Sequence, residues 1–79
     1  HFSVYPNPTD DVIIIETRDY PYDSQLWITD LNGKVIRSVS HRAGSRQTEI
    51  SLAGLPKGMY QLIWERNGVR SVEKIVKGE

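Results

Sequence analysis

Residues 60–76 read YQLIWERNGVRSVEKIV, and this stretch predicts two antiparallel strands joined by a tight turn. Asn67-Gly68 suits the two positive φ angles of a type I′ turn, which is the usual connection in a two-residue β-hairpin. Before the turn, Tyr60, Leu62 and Trp64 occupy alternate positions, and alternate side chains of a strand lie on one face. We therefore expect these three side chains to face the core of a sheet protein.

The rest of the chain continues this pattern of short strands and turns. Asn32-Gly33 lies inside LWITDLNGKVIRSV, residues 26–39, and predicts a second hairpin with the same type of turn. Proline and glycine in LPKG, residues 55–58, are typical of a turn, and the polar stretch 41–46 is the best candidate for a mobile loop. No segment shows the apolar spacing and caps of a helix. Seven strands are therefore predicted, at residues 2–5, 12–17, 25–31, 34–39, 47–52, 59–66 and 69–77.

These strands predict an all-β, antiparallel β-sandwich of about seven strands, because closely spaced short strands with hairpins between them are typical of that architecture. A chain of 79 residues has room for one core only, so we expect residues 1–79 to form a single domain. From the strand alternation we expect the following side chains to be largely buried: Val12, Ile14, Leu26, Ile28, Ile50, Leu52, Leu62 and Trp64.

A proline-rich break precedes the most apolar strand, in VYPNPTDDVIIIET at residues 4–17. Pro6 and Pro8 have no N–H for a β-ladder, so they should end the first strand after Tyr5. We expect the break to place the first strand and residues 12–17 in different parts of the sandwich. Neither face of a strand at residues 12–17 would be polar, which predicts burial on both faces or an interface.

Composition excludes several classes of function. The chain has no cysteine, which rules out a disulfide framework, a thiolate zinc site and a cysteine nucleophile. The formal net charge is zero, which argues against a nucleic-acid partner. No apolar run approaches the roughly 18–20 residues that span a bilayer, so membrane insertion is not expected.

The charges are unevenly placed along the chain. Residues 1–33 contain one basic and six acidic residues, whereas residues 34–79 contain nine basic and four acidic residues. Two interpretations stay open: neighbouring strands neutralise one another, or the basic part forms a surface that meets a partner.

No group of residues suggests catalysis or metal binding. His1 and His41 are far apart in the chain, and no serine has a nucleophile-elbow motif around it. Asp10-Asp11 is a candidate for a calcium site with other aspartates, but the acid spacing and closing glutamate of a calcium loop are missing. Turn roles are therefore favoured for Asp10, Asp11, Asp19, Asp23 and Asp30. We predict no catalytic residue, no cofactor and no metal.

Aromatic side chains offer one more candidate surface. Tyr20 and Tyr22 flank Pro21, and we favour a role in closing one end of the sandwich over a patch that stacks on sugar or contacts a protein. Trp27 and Trp64 lie in predicted strands and should be in the core or half-buried.

Three stretches of the chain, in order, resemble one known family. VYPNPTDDVIII (4–15), LWITDLNGKVI (26–36) and ISLAGLPKGMYQLIWERNGVRSVEKIVK (50–77) are similar to the type A C-terminal sorting domain of the type IX (Por) secretion system of Bacteroidetes. The shared motifs are Pro-Asn-Pro, Asp-Leu-x-Gly-Lys, Leu-x-x-Gly-x-Tyr and a Lys-Ile-Val-Lys ending, after which Gly78-Glu79 extends the usual family end. The motif residues include Pro6, Asn7, Pro8, Asp30, Gly33, Lys34, Gly58 and Tyr60.

The resemblance implies an immunoglobulin-like sandwich and a non-catalytic role in secretion. Such domains end large secreted proteins and are the address read by the type IX machinery: an outer-membrane shuttle protein, a translocon and a sortase-like cysteine protease. The protease usually removes the domain, and the cargo, covalently attached on the N-terminal side, is often anchored to anionic lipopolysaccharide. The resemblance therefore implies a fragment of a secreted or cell-surface protein that travels through the periplasm.

In this family the last strand matters most for recognition, which here implies Val72, Lys74, Ile75, Val76 and Lys77. The residue pattern agrees, since Lys74 lies between Val72 and Val76 on one face of the predicted strand. A lysine in such a place is typical of an edge strand or of a contact with a partner. We expect residues 59–66 to anchor this edge. Arg70, Lys74 and Lys77 should be exposed along it, and a partner could read the edge by strand addition and acidic contacts. An ordinary edge protected by lysines is the other reading of the pattern. The alternative function is an immunoglobulin-like accessory module that binds carbohydrate or protein.

Overall fold

The computed structural model describes residues 2–17 and 20–78, and this part of the chain is an immunoglobulin-like β-sandwich. It forms two antiparallel sheets without any helix, so the described residues include no helix long and apolar enough to cross a membrane. The predicted all-β fold of seven strands is confirmed. The strands are β1 (Phe2–Tyr5), β2 (Val12–Thr17), β3 (Ser24–Thr29), β4 (Val35–His41), β5 (Gln47–Ser51), β6 (Gly58–Arg66) and β7 (Val69–Lys77).

The two sheets divide the strands unequally. One has the order β1-β2-β5 and the other the order β4-β3-β6-β7. β7 therefore lies at an edge of the larger sheet, and β1 lies at an edge of the smaller one. The predicted bounds are closest for β1, β2 and β7, whereas β3 ends at Thr29 rather than at residue 31 because residues 30–34 form its turn.

Both predicted hairpins are present, but only one has the predicted kind of turn. Asn67 and Gly68, between β6 and β7, have φ angles of 51° and 80°, as a type I′ turn requires. In the β3–β4 hairpin Gly33 has a positive φ and Asn32 does not. The Asp30 carboxylate accepts hydrogen bonds from two backbone N–H groups of this loop, so a wider loop is stable there.

The prediction that β1 and β2 lie in different parts of the sandwich is wrong. They are antiparallel neighbours, with Phe2 opposite Thr17 and Tyr5 opposite Ile14. The prolines do end β1 after Tyr5, but residues 6–11 then reverse the chain and return it alongside the same strand. A loop of this length permits reversal as readily as a crossing to the other sheet.

The core lies between the sheets and includes most of the predicted residues. Its buried members are Ile13, Ile15, Leu26, Ile28, Ile50, Leu52, Tyr60, Leu62, Trp64 and Ile75. The prediction for β2 is wrong by one residue, since Val12 is 40% exposed and Ile14 is half-buried. Both faces of β2 carry apolar side chains, so the sequence alone does not show which face points to the core. The register with β5 decides this, and it places Ile13 opposite Ile50.

Aromatic rings close one end of the sandwich around the buried Trp64. Phe2 and Tyr20 both meet Trp64 edge to face, with ring centroids 4.9 Å and 6.2 Å from it. Tyr20 thus has the predicted closing role, whereas Tyr22 is 65% exposed. Trp27 is half-buried on the outer face of the larger sheet.

Candidate functional site

β7 is an edge strand anchored by its hairpin with β6, as predicted. The two strands pair along their whole length, from Arg66 opposite Val69 to Gly58 opposite Lys77. Because Arg66 and Val69 flank a two-residue turn, the odd-numbered residues of β7 direct their N–H and C=O groups toward β6. The even-numbered residues direct theirs toward the outer edge of the sheet.

Residues 7–9 cover half of that outer edge; we call them the covering segment. The Asn7 side chain accepts a hydrogen bond from Val76 N–H (2.9 Å) and donates one to Lys74 C=O (2.9 Å). Thr9 N–H donates to Val76 C=O (2.9 Å), and Gly78 N–H donates to Thr9 C=O (2.8 Å). The segment thus runs parallel to the end of β7, and the Asn7 amide occupies the place of a peptide group.

Sequence reasoning missed this contact, although a signal for it exists. Asn7 stands between two residues that lack an N–H, so the backbone of this segment is poor in donors. Asparagine compensates because its side chain carries both a donor and an acceptor. The peptide bonds that precede Pro6 and Pro8 are both cis. The Thr9 side chain is buried and donates to Val12 C=O.

Lys77 does not lie on the solvent side of β7, which corrects our expectation that Lys74 and Lys77 are both exposed basic residues of this edge. Its side chain is 9% exposed and lies on the inner face of the strand with Ile75. Nζ donates to the backbone C=O groups of Leu52 (2.9 Å) and Leu55 (2.7 Å) and lies 3.6 Å from an Asp11 carboxylate oxygen. A lysine can be buried in this way because its ammonium group reaches carbonyl acceptors at the sandwich end.

The five predicted recognition residues are therefore divided between two faces. Ile75 is fully buried in the core beside Lys77. Val72, Lys74 and Val76 point to the outer face, where Val72 is 55% exposed and Lys74 is exposed. Val72, Lys74 and Val76 thus share the outer face of the sheet, and Ile75 and Lys77 share its inner face.

An apolar row crosses the outer face of the larger sheet and ends at β7. Val72 is opposite Ile63 of β6, and Ile63 is in turn opposite Trp27 of β3. Charged or polar pairs flank the row, with Arg70 beside Glu65 on one side and Lys74 beside Gln61 on the other. Arg70 and Glu65 form an exposed ion pair at 3.4 Å.

The other family-motif residues build turns. Asp30, Gly33 and Lys34 shape the β3–β4 loop through backbone hydrogen bonds. Gly58 has a φ of 147°, which favours glycine, and the hydroxyl of Tyr60 donates to Pro56 C=O within the preceding turn. These residues hold the scaffold behind β7.

The candidate chemical groups lie apart from one another. Within residues 2–17 and 20–78, no three His, Cys, Asp or Glu side chains are grouped to hold a metal ion. Asp30 has the predicted turn role, since its carboxylate accepts two N–H groups of its own loop. The Asp23 carboxylate instead accepts the N–H of Ala43 in another loop, and Asp11 contacts Lys77. The candidates His1 and Asp19 lie outside the described residues.

His41 is buried at the end of β4, against the ring of Trp64 at 5.1 Å. Its Nδ1 lies 2.6 Å from the hydroxyl of Thr48, and its Nε2 has no partner within the described chain. Burial lowers the pKa of His41 below 6.5, and the nearby Arg66 acts in the same direction. A Ser45 backbone contact and the Asp23 carboxylate oppose that shift. The geometry indicates a neutral structural histidine.

The family model described as "Secretion system C-terminal sorting domain" matches residues 3–78. No curated protein sequence matches the chain.

Proposed function

Since this chain belongs to the family of type IX secretion system C-terminal sorting domains, we propose that residues 1–79 act as one such signal for a cargo attached on their N-terminal side. Domains of this family are non-catalytic sorting signals of secreted or cell-surface proteins. The proposal extends this role to the route and the partners of this particular domain.

The observation that carries the proposal is that the family match includes all seven strands. Residues 3–78 reach from β1 through the whole of β7. The signal is therefore a folded sandwich, and β7 is displayed on it rather than being a free tail. The buried Ile75 and Lys77 hold this strand, and the outward Val72, Lys74 and Val76 form its readable face.

We assign four steps to the route. The cargo and its sorting domain cross the periplasm, and an outer-membrane shuttle protein together with the translocon then receives the domain through β7. A sortase-like cysteine protease cuts on the N-terminal side of the sandwich. The cargo finally stays at the cell surface. The charged, outward face of β7 supports the receiving step, since complementary charge guides association.

The test is a fusion of a reporter, with a signal peptide, to residues 1–79 through their native upstream linker. In a host with a type IX system we expect the reporter outside the outer membrane, and in a matched strain without the translocon we expect it in the periplasm. Loss of the sandwich from the exported reporter would show the cleavage step separately. A folded fusion that stays in the periplasm of the competent host would contradict the proposed function.

A further inference from the structure

The outer edge of β7 is divided into a covered half and an open half. The covering segment satisfies Lys74 C=O, Val76 N–H and C=O, and Gly78 N–H. The same alternation leaves five backbone groups facing outward: the N–H and C=O of Arg70, the N–H and C=O of Val72, and the N–H of Lys74. No residue of the described chain pairs with these groups. We call these groups the open half-edge.

We propose that the open half-edge binds one extended segment of a secretion partner by strand addition. The segment carries an acidic residue, an apolar residue and a second acidic residue at alternate positions. This inference rests on the proposed function and specifies how β7 is read. Unpaired N–H and C=O groups at a sheet edge are a template for another strand. Further along, this edge already binds the covering segment, which meets it through the Asn7 side chain and one isolated parallel bridge at Thr9.

The side-chain pattern follows from the outer face of β7. An added strand places alternate side chains beside Arg70, Val72 and Lys74, about 5 Å away. An apolar residue beside Val72 extends the row formed with Ile63 and Trp27. Acidic residues on either side complement the two exposed basic side chains, most directly at Lys74, since Arg70 also meets Glu65 in an exposed ion pair.

The intervening residues of the added strand point to the inner side. A cleft of about 350 Å³ lies there, lined by Phe2, Arg66, Ser71 and Glu73. Phe2 of the edge strand β1 and Ser71 and Glu73 of the edge strand β7 line this cleft, so residues 2–17 and 20–78 leave it open to an incoming chain. The cleft has room for these inward side chains of the added strand, which alternate with its outward acidic, apolar and acidic residues.

A second copy of this domain fits the open half-edge poorly. Antiparallel pairing of two β7 strands about Val72 places Arg70 of each copy opposite Lys74 of the other, and like charges directly opposite one another destabilise a sheet. The same arrangement favours an acidic partner, which neutralises both positions. We therefore assign the edge to a heterologous strand.

The experiment uses the reporter fusion and a proline that removes one outward N–H. Val72→Pro deletes a group that no bond of the β6–β7 ladder uses, and proline is tolerated on an edge strand in that orientation. Ser38→Pro is the matched control, because the alternation places Ser38 N–H at the outer edge of β4, on the other side of the same sheet. We expect export of Val72→Pro to fall about tenfold or more, equivalent to about 1.4 kcal/mol of binding free energy, and Ser38→Pro to export normally.

A charge reversal provides a second variant that does not depend on tolerance of proline. Lys74→Glu replaces an exposed side chain of β7, and Arg42→Glu is the control at an exposed site outside β7. We expect reduced export for Lys74→Glu alone, with unchanged melting temperatures for both variants. If the wild-type fusion is exported and Val72→Pro and Lys74→Glu are exported equally well, the inference is wrong while the proposed function stands. A dimer of the wild-type domain that Val72→Pro abolishes would also overturn it, because the edge would then belong to a second copy.

Discussion

Replacing Lys77 with methionine tests whether a buried lysine holds the end of β7. The change keeps most of the apolar stem and removes only the ammonium group, which donates to Leu52 C=O and Leu55 C=O. Lys74→Met is the matched control, since Lys74 lies on the same strand but is exposed. Comparing the two variants therefore separates the effect of burial on stability from the effect of a position on β7.

The magnitude follows from the two lost hydrogen bonds. Hydrogen bonds to charged groups each contribute about 1.5–3 kcal/mol. The net loss of stability is smaller, because the variant no longer has to remove an ammonium group from water on folding. The ion pair with Asp11 adds little, because the Asp11 side chain is exposed to solvent. We expect Lys77→Met to lower the free energy of unfolding by about 2–4 kcal/mol, and Lys74→Met by no more than about 0.5 kcal/mol.

Urea unfolding followed by tryptophan fluorescence measures this difference, because Trp64 is fully buried. In a domain of this size, about 1 kcal/mol corresponds to about 4–8 °C in melting temperature, so the Lys77 variant should melt at least about 8 °C lower. Equal stability of the two variants would refute the reasoning, since it would mean that the Lys77 ammonium group makes no net contribution.

Two further predictions concern Asn7 and His41. Asn7→Ala removes both side-chain hydrogen bonds to β7, so it should lower the free energy of unfolding by about 1–2 kcal/mol and speed amide exchange at Val76. Asn32→Ala, in an exposed loop, should change neither quantity. Unchanged exchange at Val76 in Asn7→Ala would contradict the role of the covering segment. Because burial lowers the pKa of His41, the unfolded chain binds a proton first as the pH falls below 6.5. Stability should therefore decline as the pH falls through the unfolded-state pKa of about 6.5 and level off only once the folded state is protonated too. His41→Gln should remove most of this slope; a slope that persists in the variant would place the titrating group elsewhere.

Local chemistry allowed most of the strands to be predicted from the sequence. The Asn67-Gly68 turn and the alternation of Tyr60, Leu62 and Trp64 are encoded by neighbouring residues, so the β6–β7 hairpin and its inward face were predictable. β2 was different, because a strand with apolar residues at both parities has no inward face until its partners fix the register.

The details of the site depend on contacts between distant parts of the chain. Asn7 and Val76 are 69 positions apart, and no local pattern brings them together. Lys77 was predicted to be exposed because a charged side chain normally stays in water. Its burial depends on carbonyl groups more than twenty residues earlier, which no spacing rule within β7 could indicate.

The covering segment also bears on how this domain stays soluble. A long bare strand at a sheet edge invites uncontrolled aggregation with other chains. Residues 7–9 shorten the bare part of β7 to the stretch between Arg70 and Lys74, about 14 Å long. A domain cut back at its N-terminal side past Thr9 would expose the full edge of its last strand. Its tendency to aggregate is therefore set at the opposite end of the chain from the strand that would aggregate.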